Sequence, residues 1–195
     1  MKDTILFGDC RDTLSQFDEK AQMCVTSPPY YGLRDYGGES CQIGQEDTPE
    51  EYIQNLVNVF REVRNCLTDD GTLWLNIGDS YYNYRPGKGQ ALVKQTVSAT
   101  KQDLPDKCAR RGNKLEGLKE KDLIGIPWML AFALRADGWY LRQDIIWHKP
   151  NPMPESVKDR CTKSHEYIFL LSKNRKYYYD NESIKEPAKD WGTRD

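Results

Sequence analysis

Apolar and polar positions follow one another along the chain in short blocks that predict strands and helices in turn. Residues 5–7 are an apolar run closed by a Gly-Asp pair, which predicts a strand, a turn and then a short helix from about Asp12. Residues 22–26 predict a second strand. This strand ends before Pro28, because proline lacks the backbone donor that a strand ladder needs.

The strongest helical pattern begins at Thr48. Thr48 suits the N-cap, Pro49 suits the first turn, and Glu51 completes a capping box. The apolar residues that follow fall on one helical face, namely Ile53, Leu56, Val57, Phe60, Val63 and Leu67. An Asp-Asp-Gly sequence ends this helix, and residues 72–77 predict a buried strand.

The second half of the chain opens with a long segment that has no hydrophobic period. Residues 80–121 carry Gly, Lys, Arg and Pro and predict a long loop, a feature that is usually functional or mobile inside a domain. Residues 122–136 predict a helix that an Asp-Gly pair ends. Three patterns rich in β-branched or aromatic residues predict strands at 140–147, 166–171 and 176–180.

This order of elements predicts an α/β fold with a mainly parallel sheet and a C-terminal antiparallel hairpin. In such sheets the chemistry lies at the carboxyl ends of the strands. Polar residues follow three of the predicted strands, at residues 8–9, 27–30 and 78–79. We therefore expect a functional site at this edge of the sheet.

Composition narrows the class of protein. The 195 residues, 30% charged and 38% hydrophobic, suit one soluble globular domain. Without an apolar run of about 20 residues or a signal peptide, we expect a cytoplasmic protein that does not enter a membrane. The six cysteines have neither zinc nor disulfide spacing, so we expect reduced thiols and no metal site. The net charge of −2 gives no global basic field, but residues 107–121 are locally basic, which suits either phosphate contacts or a solvated loop.

The sharpest chemical signal is a Ser-Pro-Pro-Tyr sequence directly after the second predicted strand. A proline pair before an aromatic residue can be a rigid turn and nothing more. Here the turn follows a hydrophobic strand, and an aromatic, Gly-rich segment follows it at residues 31–37. Composition alone favours the rigid turn, but the position at a strand end leaves a functional turn open.

Residues 26–30 resemble the catalytic motif of DNA methyltransferases that modify cytosine N4 or adenine N6. The similarity continues through residues 70–79, 144–152 and 164–169, in the order of the beta group, whose catalytic half precedes the main cofactor-binding half. The resemblance implies an S-adenosylmethionine-dependent, Rossmann-like methyltransferase sheet that is incomplete here, with double-stranded DNA as the partner.

The same resemblance implies the domain organisation. Residues 1–185 correspond to the catalytic half, with 80–121 as a long loop insertion. Residues 186–195 correspond to the start of a truncated downstream region. No Gly-rich strand-to-helix turn for the methionine part of the cofactor follows the catalytic blocks. We therefore expect either a second polypeptide that supplies this turn or self-association through an open sheet edge.

The physics of amine methylation fits the motif. An exocyclic amine is a poor nucleophile because the ring draws in its lone pair, and hydrogen-bond acceptors aimed at its N–H groups can localise that pair. The Ser27 hydroxyl and the Pro28 carbonyl supply such acceptors, while Pro28 and Pro29 keep the turn rigid. Tyr30 offers a flat face on which a flipped base can stack.

The resemblance also assigns binding residues. The cofactor contacts are Asp9, Thr26, Ser27 and Pro28. The expected DNA contacts depend on local charge and position rather than on the resemblance, and they are Tyr31, Arg34, Lys107, Arg110, Arg111, Lys114, His148 and Lys149. Asp9 equally suits a simple turn aspartate, and Asp79 suits a structural role better than a binding role.

Several functions stay open at this point. Serine at the head of the motif favours cytosine N4 over adenine N6, since aspartate there goes mostly with adenine in the family. A non-catalytic DNA-binding remnant and an RNA or protein amino-methyltransferase are the alternatives. Methylation of cytosine carbon 5 is disfavoured because no cysteine follows a proline, and no phosphate-binding loop for ATP is present.

Overall fold

Three helices and two sheets make up the part of the chain that the computed structural model describes, which comprises residues 4–33, 42–82, 90–91, 109–110 and 115–187. The helices are α1 (Cys10–Ser15), α2 (Pro49–Cys66) and α3 (Ile126–Ala136). The strands are β1 (Ala21–Thr26), β2 (Leu67–Ile77), β3 (Gln90–Ala91), β4 (Ala109–Arg110), β5 (Tyr140–His148) and β6 (His165–Ser172).

The main sheet has the strand order β1-β2-β6-β5. β1 and β2 run parallel and are joined through α2, which confirms the predicted α/β class. β6 is antiparallel to both β2 and β5. The antiparallel C-terminal pair is therefore confirmed. The described sheet is nevertheless mixed rather than mainly parallel, because β6 lies between β5 and β2 and is antiparallel to both.

One face of the sheet carries the core. Leu73, Leu75 and Ile77 of β2 are fully buried, and they cluster with buried residues of α2 and α3. The predicted face of α2 is buried along its whole length, as periodicity at helical spacing requires. Thr48 is the N-cap of α2, and its hydroxyl accepts a hydrogen bond from the Glu51 amide at 3.2 Å.

Two predicted strands are absent from the described residues. Residues 5–7 are irregular, and Ile5 and Phe7 are 77% and 87% exposed. Residues 176–180 are also irregular, although the Tyr178 amide donates to the Asp70 carbonyl. A strand needs a continuous ladder with a neighbour, which an apolar run does not supply by itself.

The second long helix begins later than the pattern of residues 122–136 predicts. α3 starts at Ile126, after Gly125, which has φ +88° as the N-cap. A left-handed backbone at this position suits glycine and stops the helix from extending backwards. The carboxylate of Asp79 accepts hydrogen bonds from the amides of Gly125 and Ile126. The end of β2 is thus tied to the start of α3.

The outer side of β1 is open within the described residues. β1 has β2 as its one sheet neighbour there, and Met23 and Val25 are 56% and 69% exposed. None of the described helices has both the length and the apolarity that a membrane span requires.

Candidate active site

The strand directions bring four chain segments to one edge of the sheet. β1 and β2 are parallel and pair Thr26 with Leu75, so the turn after β1 lies beside the end of β2. β6 runs the other way and pairs Tyr167 with Ile77, so its beginning lies at the same edge. The last residue of β5 pairs with the first residue of β6. The predicted convergence at a sheet edge is therefore confirmed for the segments after β1 and β2.

The start of α2 holds the Ser-Pro-Pro-Tyr turn in place. The fully buried Tyr52 donates its hydroxyl hydrogen bond to the Pro29 carbonyl at 2.8 Å. Burial, with Glu46 nearby, raises the pKa of Tyr52, so its phenol stays protonated and remains a donor. The ring of Tyr31 lies 5.4 Å from that of Tyr52. The turn is therefore held by its backbone and by an aromatic contact.

Tyr30 lies between the turn and the end of β2. A Cβ atom built on Gly78 would lie 2.6 Å from the Tyr30 Cε2 atom, so the ring packs where only glycine fits. The Tyr30 hydroxyl donates to Asn76 Oδ1 at 2.9 Å and to Glu166 Oε2 at 3.3 Å. It accepts from the Ser27 hydroxyl at 3.3 Å. Burial raises the pKa of Tyr30, which keeps the phenol neutral.

An ion pair completes this cluster. The ammonium group of Lys149 donates to Glu166 Oε1. Burial of Glu166 acts to raise the pKa of its carboxyl, but hydrogen bonds from Lys149 and Asn76 outweigh it and hold the pKa below the usual value. Glu166 is therefore ionised at neutral pH and serves as an acceptor.

The oxygens that the sequence proposes as acceptors for the amine are available. Ser27 is exposed, and its hydroxyl donates to Tyr30. Within the described part of the chain, neither the Ser27 hydroxyl nor the Pro28 carbonyl accepts a hydrogen bond. Two acceptor positions thus lie next to each other on a fixed turn.

Asp9 is the N-cap of α1. Its carboxylate accepts from the Arg11 amide at 2.8 Å and binds the Arg11 guanidinium. These hydrogen bonds lower the pKa of Asp9 to about 2. The side chain is 31% exposed, so an ionised acceptor remains accessible to a ligand. Its hydrogen bonds to other described residues stay within the start of α1, and none joins it to the Ser27 turn.

Asp79 has the structural role that its sequence setting favours. Its carboxylate accepts from the amides of Ser80, Gly125 and Ile126, at 2.9 to 3.1 Å. It therefore fixes the start of α3 to the end of β2.

The predicted DNA-contacting residues are divided between described and undescribed segments. His148 ends β5 beside the candidate site, Lys149 pairs with Glu166, and Tyr31 packs on Tyr52. The other predicted contacts, Arg34, Lys107, Arg111 and Lys114, lie outside the described residues, and Arg110 is described only as part of the β4 backbone. DNA contact by all these residues stays a prediction.

Sequence reasoning missed three contributors to the cluster, namely Asn76, Glu166 and Tyr52. Asn76 is a polar residue within the apolar run 73–77 of β2, and Glu166 lies near the start of the largely apolar strand β6. Polar residues in such positions usually have a partner, which is the signal that could have singled them out.

The described residues form an α/β domain with a polar cluster at one edge of its main sheet. The fold of the chain is similar to that of the cytosine-N4-specific PvuII DNA methyltransferase, with a TM-score of 0.58 at 16% identity, over 92% of this chain and 53% of that one. A putative DNA modification methylase from Thermus thermophilus, complexed with S-adenosyl-L-methionine, gives a TM-score of 0.56 at 23% identity, over 90% and 55% of the two chains. At these identities the likeness concerns the fold.

The chain belongs to the DNA methylase family of N6 and N4 amino-methyltransferases, whose profile it matches over residues 21–195. It is 57% identical to the type II methyltransferase M.SmaI of Serratia marcescens over 95% of its length. It is 50% identical to M.Cfr9I of Citrobacter freundii over 98% of its length. The chain spans 61% of the length of each of these relatives.

Proposed function

We propose that the protein transfers a methyl group from S-adenosylmethionine to the exocyclic amine of a flipped base in double-stranded DNA, with cytosine N4 as the acceptor. The observation that carries the proposal is the pair of unused acceptor oxygens, on Ser27 and Pro28, in a turn that α2 holds fixed. Family membership and the names of the relatives support the reaction class.

The turn acts on the amine rather than on the methyl group. Acceptors at Ser27 and Pro28 bind the two N–H groups of the base and leave the nitrogen lone pair directed at the methyl donor. Because the turn is held before the base arrives, little reorganisation accompanies the reaction. Tyr30, whose ring is fixed between Gly78 and the hydrogen bonds of its hydroxyl, offers the stacking surface.

The residues fit one side of the proposed cofactor. S-adenosylmethionine supplies an electrophilic methyl group on its sulfonium. The ionised and partly exposed carboxylate of Asp9 suits hydrogen bonds from the adenosine part. Thr26, Ser27 and Pro28 are the proposed contacts nearer the transferred methyl.

DNA binding is assigned to basic residues around the site. Lys149 belongs to the cluster, His148 directly precedes it, and Tyr31 and Arg34 follow the turn. Lys107, Arg110, Arg111 and Lys114 are proposed phosphate contacts. We predict that neutralising these four residues flattens the dependence of DNA affinity on salt concentration, since each phosphate contact releases counterions. An unchanged salt slope would leave this segment as solvated surface.

Product analysis tests the proposed reaction. The full-length protein is incubated with isotopically labelled S-adenosylmethionine and double-stranded DNA, with RNA and protein as parallel substrates, and the nucleosides are separated by mass spectrometry. We expect label in N4-methyldeoxycytidine. Label in N6-methyldeoxyadenosine would overturn the choice of base, and label in RNA or protein would overturn the choice of substrate. DNA binding without any methyl transfer would indicate a non-catalytic remnant.

The open edge of β1 is the proposed pairing site for further strands. The relatives contain residues beyond the part that this chain matches, and the outer side of β1 has no neighbour among the described strands. We propose that a Gly-rich turn for the methionine part of the cofactor reaches the site through this edge, from a second polypeptide or a further segment, and that self-association is the alternative.

A further inference from the structure

We infer that Glu166 and Lys149 are positioning residues that set the direction of a hydrogen-bond chain and thereby make Ser27 an acceptor for the amine of the base. The inference rests on the proposed function. It gives a role in that reaction to two residues that lie after β5 and at the start of β6. The hydrogen-bond chain leads from the Ser27 hydroxyl through the Tyr30 hydroxyl to Asn76 and Glu166.

The direction of the hydrogen-bond chain follows from the single proton on the Tyr30 hydroxyl. The Tyr30 hydroxyl has one proton, and on one side it faces two acceptors, Asn76 Oδ1 at 2.9 Å and Glu166 Oε2 at 3.3 Å. Its proton is therefore committed to that side. The Tyr30 oxygen is left to accept from Ser27.

Neither of the two acceptors can become a donor to Tyr30 in this arrangement. The Asn76 amide nitrogen donates to the Tyr167 carbonyl at 3.1 Å, which fixes the amide so that its oxygen faces Tyr30. Glu166 carries no proton because Lys149 binds its other carboxylate oxygen. A carboxylate without a proton can only accept.

The consequence falls on Ser27. A serine hydroxyl has one proton and two lone pairs, and here the proton goes to Tyr30. Both lone pairs of Ser27 are then free, and one of them can accept from one N–H group of the base while the Pro28 carbonyl accepts from the other. In the reverse direction, Ser27 would aim its own proton at the amine, and two donors would face each other.

The charged and titratable groups around Glu166 come from three segments. Lys149 follows β5, Tyr30 follows β1, and His165 precedes Glu166 on β6, where it pairs with His148 of β5. Protonation of Glu166 would make it a donor to Tyr30 and would allow the chain to reverse. Activity should therefore fall as the pH drops through the pKa of Glu166.

The first test is Glu166→Gln in the full-length protein, measured by steady-state methylation of DNA. The amide can donate to the Tyr30 oxygen, so we expect kcat to fall on the order of tenfold or more because the acceptor for the amine loses its orientation, while KM for DNA stays unchanged. The matched control is Glu155→Gln, which breaks the partly buried pair with Arg160 elsewhere and should leave kcat unchanged. An unchanged kcat in Glu166→Gln would overturn the inference.

The second test uses coupling and pH. Tyr30→Phe removes the hydroxyl that links Ser27 to Glu166 and so interrupts the hydrogen-bond chain. In that background Glu166→Gln should lower kcat no further. Lys149→Met should raise the pKa of Glu166 and move the acidic limb of the kcat profile to higher pH, and Lys149→Arg should restore it. Full additivity of the two substitutions, or an unmoved limb, would refute the proposed direction. If the wild-type protein methylates no DNA, the proposed function fails; if it does and Glu166→Gln matches it, only this inference fails.

Discussion

At the residue scale, Tyr30 has two environments that together fix its ring. Its hydroxyl is held by Asn76 and Glu166, while the ring edge lies against the backbone of Gly78. Fixing a flat side chain before the substrate arrives lowers the entropy lost when a base stacks on it. The residue therefore contributes both a surface and a link in the hydrogen-bond chain.

Replacing Tyr30 with Ala removes the surface and the link together. We expect a large loss of methylation, since base stacking on an aromatic side chain contributes about 1–3 kcal/mol. DNA affinity measured by fluorescence anisotropy should change much less, because phosphate contacts persist. Tyr30→Phe serves as the control that keeps the ring. Full methylation by the Ala variant would exclude a catalytic role for this turn.

The close approach at Gly78 gives a second residue-scale prediction. Gly78→Ala should lower the free energy of unfolding by about 1–3 kcal/mol, as overpacking does, because the added carbon would lie 2.6 Å from the Tyr30 ring. The effect is measured by chemical denaturation. In a Tyr30→Ala background the cost should largely disappear. An equal cost in both backgrounds would show that another neighbour is responsible.

At the element scale, α2 links the core to the site. Its apolar face packs on β2, and Tyr52 near its start holds the Pro29 carbonyl. The position of the turn therefore depends on where this helix begins. The helix begins at Pro49 because Thr48 caps it and because Pro49 suits its first turn.

Removal of the cap tests this dependence. Thr48→Ala should lower the free energy of unfolding by about 1 kcal/mol, since the Glu51 amide loses its acceptor. Thr48→Ser keeps the hydroxyl and should retain most of the stability. Thermal denaturation of the two variants gives the comparison. Equal melting temperatures for Ala and Ser would mean that the cap contributes nothing.

At the scale of the whole molecule, the described main sheet has two edge strands. β2 and β6 are paired on both sides, whereas β1 and β5 each have one described neighbour. Both edge strands carry exposed apolar residues, among them Met23 and Val25 on β1 and Ile146 and Trp147 on β5. An exposed apolar edge strand is a template for another strand.

The open edge predicts that the 195-residue chain self-associates. Val25→Lys places a charge on the exposed side of β1 and should lower the association measured by sedimentation velocity. Ile184→Lys changes a residue of similar exposure, 61%, outside any strand and should have no effect. A monomer at all concentrations in the unmodified chain would contradict the prediction.

The local elements of the fold could be predicted from the sequence. The buried face of α2, its cap at Thr48 and the end of β1 before Pro28 depend on residues close together in the chain. The Ser-Pro-Pro-Tyr turn at the end of a strand is predictable for the same reason, since its residues are adjacent in the sequence. The helical spacing of apolar residues and the missing backbone donor of proline act over a few residues. Both effects can therefore be predicted without a structure.

The tertiary structure alone decided which strands pair and which residues meet at the sheet edge. Residues 5–7 are as apolar as a strand, but they pair with no strand among the described residues. Glu166 is 136 positions from Tyr30 in the sequence and yet accepts its hydrogen bond. The antiparallel entry of β6 beside β2 brings that carboxylate to the turn. Strand pairing and hydrogen bonds between distant residues depend on which segments the tertiary fold brings together. The amino-acid pattern of one segment does not identify the segment that will pair with it.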